Sequence, residues 1–174
     1  STEQSHCIEA VRAAAMAHPA IGFIVRCDGR AALDLPADED LPARVTALLG
    51  REFADRLLIV EADRFEDARG LTLWGLVGRP DLARPTARAQ RFFVNGRPVQ
   101  DRVMQHALRE AFRGLIDPGR HPMGALMIEM DPSADDVNVH PAKAEVRFRD
   151  GGVVHQTILH AVREALRRAD LTPR

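Results

Sequence analysis

Residues 92–113 read FFVNGRPVQDRVMQHALREAFR: a strand, a turn and a helix in unbroken succession. The aromatic and β-branched run at 89–95 (AQRFFVN) has the composition of a strand, and Asn95-Gly96 supplies the positive φ angles of a tight turn. Asp101 stands where an N-cap belongs, ahead of a segment expected to be helical over about 102–115. Val103, Met104, Ala107, Leu108, Ala111, Phe112 and Leu115 recur at helical spacing and make one apolar face. Arg102, His106, Arg109 and Arg113 fall within about 40–60° of one another on the opposite side, at 100° per residue. With Arg97 just past the turn they build a basic ridge of the kind that meets a phosphate backbone. A charged face turned outward for solubility alone gives the same pattern.

Outward from this stretch, a loop at 117–122 leads to an expected strand at 123–130, and 144–149 (AEVRFR) alternates as another. Between them 131–143 (DPSADDVNVHPAK) is expected to be irregular, and a last helix is expected over about 153–168. On the other side, 5–17 reads as a helix with Ser5 as N-cap, and 20–28 and 30–35 as strands joined by Asp28-Gly29. A short helix follows at 41–50, then strands at 56–62 and 70–78 around an acidic turn; 79–88 (RPDLARPTAR) reads as exposed loop. Helices and strands alternate without a strict βαβ period. The expected fold class is therefore α+β, a two-layer mixed sheet packed against helices, with residues 1–174 read as one domain.

The chain has 174 residues, 45% apolar and 28% charged, the composition of an ordinary globular protein long enough to fold without a disulfide or metal. No apolar run approaches the roughly 20 residues of a membrane span, and no leader precedes a cleavage site, so a cytoplasmic protein without a membrane partner is expected. Cys7 and Cys27 have no metal-ligand spacing, and Cys7 is expected to be buried on its helix. A first residue of Ser rather than Met fits a piece of a longer protein. The net charge of −1 conceals a gradient: residues 79–113 carry eight arginines against Asp81, Asp101 and Glu110. Such a local positive field attracts polyanions.

Of the 24 basic residues only Lys143 is a lysine, and it lies in DVNVHPAKAEVRF, 136–148. Asp136, Asn138 and His140 alternate with Val137 and Val139, so an extended segment sends the polar trio to one side. Pro141 stiffens the backbone ahead of Lys143, and an ammonium on a long stem suits a phosphate oxygen. A loop hydrogen-bonded to itself with a solvated lysine is the alternative. The other candidates are weaker. His155 and His160 are five apart, not the four of paired helical metal ligands, and are expected to be solvated near a helix end; no metal is expected. A hydrolase built on Asp136, His140 and Lys143 has no activated nucleophile. The chain contains neither G-x-x-x-x-G-K-[ST] nor G-x-G-x-x-G, so a lysine aimed at a phosphate needs a nucleotide held by something else.

Together, FFVNGRPVQDRVMQHALREAF and DVNVHPAKAEVRF resemble the two signatures of the MutL family of DNA mismatch repair proteins. Gln90 and the opening STEQSH add to the likeness, which spans essentially the whole chain. The resemblance implies the middle, or transducer, domain of the MutL N-terminal half, with a fold like domain 2 of ribosomal protein S5. A preceding GHKL-type ATPase domain, which would bind ATP and Mg, and a following C-terminal domain have no counterpart in these residues, so the fragment alone is expected to need no cofactor and to hydrolyse no ATP. Carried over by motif, Lys143 would meet the γ-phosphate of ATP, with Asn138 and His140 shaping its loop. Arg102 would sit in a DNA groove, with Arg97, Arg109 and Arg113 as further candidates. The implied partners are DNA, a MutS-type mismatch sensor, and a downstream nuclease and helicase, with a homodimeric parent. The alternative is a self-standing RNA- or ribosome-binding module of the same fold.

Overall fold

A computed structural model describes residues 2–66, 69–131, 135–137, 146–148 and 150–173. The chain forms two compact units, Ser1–Asp55 and Arg56–Arg174.

The first unit contains α1 (Thr2–Ala17), an antiparallel hairpin of β1 (Phe23–Cys27) and β2 (Arg30–Leu35), α2 (Leu41–Leu49) and a single 3-10 turn at Arg51–Phe53. Asp28 (φ 51°) and Gly29 (φ 77°) turn the hairpin, as their sequence implies. α1 starts before Ser5, which therefore lies inside the helix rather than capping it. Only Ala15, Met16 and Ala17 of α1 are buried, and Cys7 is exposed, against expectation: the apolar residues of the early turns are small or partly wet. Asp40 caps α2, its carboxylate accepting from Ala43 N at 2.8 Å.

The two helices cap each other. The last carbonyls of a helix lack partners within it, and Arg44 of α2, fully buried, reaches those at and beyond the end of α1. Its Nη1 donates to the carbonyls of Ala15 (2.8 Å) and His18 (3.3 Å), and its Nη2 to Pro19 (2.9 Å), Ile21 (2.9 Å) and Pro36 (2.7 Å). Nε donates to the Glu39 carboxylate at 2.6 Å. In return, Arg12 of α1 donates to the Leu48 carbonyl near the end of α2.

The second unit runs β3 (Leu57–Glu66), β4 (Arg69–Gly78), β5 (Gln90–Val94), β6 (Arg97–Val99), α3 (Arg102–Ala111), β7 (Gly124–Met130), β8 (Asp135–Val137), β9 (Val146–Phe148) and α4 (Gly151–Arg168). Five strands form one mixed sheet in the order β3-β4-β7-β5-β6, in which only β5 and β7 are parallel. The chain crosses between those two through β6 and α3. β8 and β9 pair antiparallel as a separate two-stranded sheet. The expected α+β class with a mixed sheet against helices is what the chain adopts.

α3 and α4 pack on one face of the sheet, where Val60, Leu73, Phe92, Leu126 and Ile128 meet Met104, Leu108, Ile158 and Val162. Each such side chain contributes about 1.5–3 kcal/mol on burial, enough to fix which face of α3 turns inward. Three expectations are revised. Residues 135–137 pair as a strand rather than running irregularly. The 79–88 segment is not wholly exposed, since Leu82, the last residue of a 3-10 turn at Pro80–Leu82, and the Ala83 after it are buried. α3 ends at Ala111 and not at 115, because Gly114 takes φ +82° and the chain turns there, while Phe112 and Leu115 still pack on the core.

Candidate nucleic-acid interface

The turn and helix at 95–113 assemble as the residues dictate. Asn95 (φ 49°) and Gly96 (φ 78°) both take the left-handed conformation that lets β6 fold back on β5. The Asn95 side chain does a second job: its Oδ1 accepts from Met130 N at 2.9 Å, while Asn95 N donates to the Ile128 carbonyl at 2.8 Å. The turn that carries Arg97 is thereby tied to the end of β7. Asp101 caps α3, its carboxylate accepting from Met104 N at 2.8 Å. Burial pushes this carboxyl above the ordinary aspartate value, partly opposed by the N–H groups of Met104 and Val103.

Met104, Ala107, Leu108 and Ala111 of α3 are buried, so Arg102 and Arg109 stand on its wet side, as the periodicity implies. Arg97, Arg102 and Arg109 are all exposed, and among the described residues none of their guanidiniums holds a hydrogen bond or ion pair. Arg113 differs. It lies past the helix end and donates to the Glu110 carboxylate at 2.5 Å. Arg167 and Arg168 at the end of α4 are likewise occupied, since both bond Glu164 and Arg167 above all draws its carboxyl down to about 2. Arg97, Arg102 and Arg109 thus differ from Arg113, Arg167 and Arg168, whose guanidiniums are already engaged.

His106 departs from the expected ridge. Its Nδ1 lies 2.9 Å from Nε2 of His155 on α4, and its Nε2 lies 3.8 Å from the Glu110 carboxylate. His155 is thus a cross-helix partner rather than a solvated helix end. No grouping of three metal-ligating side chains occurs among the described residues. Asn138, His140 and Lys143 lie outside the described residues. Among those described, no helix is long and apolar enough to cross a membrane.

Residues 45–167 match the family model described as the C-terminal domain of DNA mismatch repair protein. A DNA mismatch repair protein MutL of Phenylobacterium zucineum is 47% identical over 165 residues, 92% of this chain and 26% of that protein. Those of Paramagnetospirillum magneticum and Chromohalobacter salexigens are 44% and 45% identical, covering 95% and 99% of this chain and 27% and 26% of theirs. The chain spans about a quarter of the length of these relatives. A solved N-terminal domain of a DNA repair protein superposes with a TM-score of 0.73 at 18% identity, over 96% of this chain and 54% of that one, a likeness of fold.

Proposed function

Because the chain belongs to the MutL family of DNA mismatch repair proteins, we propose that it serves as the transducer and DNA-binding domain of a longer repair ATPase. The observation that carries the DNA half of this reading is the set of three guanidiniums, Arg97, Arg102 and Arg109, around one turn and one helix and without a partner among the described residues. An arginine without a partner can take a phosphate directly, whereas one already in an ion pair must first give up its carboxylate. Arg113 belongs to the second group and is a weaker contact.

For the nucleotide half, Lys143 brings a positive charge toward the γ-phosphate of ATP, with Asn138 and His140 shaping its approach. On this reading ATP with Mg would be held by a preceding ATPase domain, and its γ-phosphoryl group would pass to water there. The sequence carries neither G-x-x-x-x-G-K-[ST] nor G-x-G-x-x-G, so on this reading the nucleotide is held by another part of the parent protein. Asn95 fastens the turn ahead of Arg97 to Met130, the last residue of β7. A MutS-type mismatch sensor, a downstream nuclease and helicase, and a homodimeric parent complete the reading.

The test is Lys143→Ala in the N-terminal half of the parent protein. ATP turnover is expected to fall at least tenfold, the loss of about 1.4 kcal/mol of transition-state stabilisation, with the circular dichroism unchanged. Turnover equal to wild type refutes the assignment of Lys143.

A further inference from the structure

Beyond the end of α3 the chain builds a rigid concave frame. Asp117-Pro118-Gly119-Arg120 forms a turn closed by Arg120 N donating to the Asp117 carbonyl at 3.1 Å, with Gly119 at φ +84° as the third residue of a type II turn demands. Two further bonds at 2.8 Å join the backbones of Arg84 and His121, and the Arg120 side chain donates to the Ala83 carbonyl at 2.5 Å. The 117–121 part of this frame borders a half-open cavity of about 290 Å³ against the last turn of α3. Its apolar part is Ile116 and Pro118, over the buried ring of Phe112, and its polar wall is Arg109, Arg113 and His121. Glu110 and Asp117 also line it, but the Glu110 carboxylate is taken by Arg113.

We propose that this cavity seats one unpaired nucleotide at the end of the basic ridge, its phosphate against Arg109 and His121 and its base against Ile116 and Pro118. The inference rests on the reading of α3 as the DNA-facing helix and deepens it. Arg109 belongs to both, an exposed guanidinium without a partner among the described residues on the ridge and a wall of the cavity. A strand laid along α3 would thus reach the cavity without leaving the positive surface. The volume is that of a small ligand site, and a base has an apolar face and no charge, matching Ile116 and Pro118, while Arg109 and His121 stand among the lining residues to meet its phosphate.

The experiment compares, with this 174-residue chain, a blunt duplex and the same duplex carrying a thymidine tail, both read by fluorescence anisotropy. The tailed duplex is expected to bind about fivefold tighter or more, the low end of what one stacked base contributes. Ile116→Ala, which removes the apolar surface under the base, and His121→Ala, which removes the imidazole, are each expected to erase that advantage and leave blunt-duplex binding within twofold. Thymidine monophosphate separates the sources of the nucleotide. Chemical-shift changes at His121 on adding it mark a seat for free nucleotides as well, and silence with the tail advantage intact marks one filled from a strand. A wild-type chain that binds both duplexes equally, or a tail advantage that survives both variants, overturns the seat while leaving the ridge standing. Failure to bind either duplex overturns the ridge and the seat together.

Discussion

Arg44 offers the sharpest test of how the first unit is held together. Its guanidinium is fully buried and engages five backbone carbonyls and the Glu39 carboxylate. Arg44→Met retains most of the side-chain volume but removes every donor. Orphaning a buried carbonyl costs about 1–3 kcal/mol, so five of them set an upper bound larger than most domains can lose. The carbonyls of Pro19, Ile21 and Pro36 lie in connecting segments that water reaches once the guanidinium is gone. The expected loss is therefore nearer the 3–5 kcal/mol of breaking a buried ion pair. Trp74 is the only tryptophan and lies on β4 in the second unit, so its fluorescence is the wrong probe. Amide hydrogen exchange in α1 and α2 reports the first unit directly, and protection there is expected to fall by about 3–5 kcal/mol while protection in β4 and β7 holds. Arg44→Lys is expected to recover less than half, because one ammonium cannot span acceptors fanned around a planar fork. Protection in α1 within about 1 kcal/mol of wild type would show that the network is incidental, and the account of how the two helices cap each other would be wrong.

Two smaller changes test the second unit. Asp101 has a carboxyl pKa raised by burial, so its share of stability is complete below the ordinary aspartate range and is lost as pH rises through the raised value. Asp101→Asn keeps the cap and drops the charge; urea titrations followed by Trp74 fluorescence should find it at least as stable as wild type at pH 7, with a flatter pH profile. Asp101→Ala should cost about 1 kcal/mol. Gly75 on β4 approaches β7 so closely that an added Cβ would stand 2.1 Å from the Ala125 carbonyl oxygen, at φ +154°. Both neighbours are central strands with nowhere to move, so Gly75→Ala should lower the unfolding free energy by about 1–3 kcal/mol or more in the same titration.

Much of the fold was legible because the signals were local. Asn95-Gly96, Asp101 and the apolar stripe of α3 each act within a few residues, and each stands where its chemistry requires. Hydrophobic period overran the helix end, since Phe112 and Leu115 still pack on the core although the helix has stopped at Ala111. β6 escaped notice because three residues with a proline in the middle carry no alternation to read. What pairs across elements was illegible. Arg44 looks like any arginine on a short amphipathic helix until the end of α1 is brought to it, and His106 meets His155 only because α3 packs on α4. In the site, periodicity put Arg102 and Arg109 on the wet face of α3, while the Glu110–Arg113 pair, three residues apart, is local and was open to reading, though the ridge pattern passed over it.

The most direct measurement is the salt dependence of duplex binding by the wild-type chain and by Arg102→Glu. Each phosphate contact contributes a slope of about −0.9 in log affinity against log salt. Reversing the charge at Arg102 should weaken binding about tenfold at low salt and make the slope shallower by about one unit, with little change between sequences. An affinity and a slope that both stay at wild-type values would contradict the claim that α3 faces DNA.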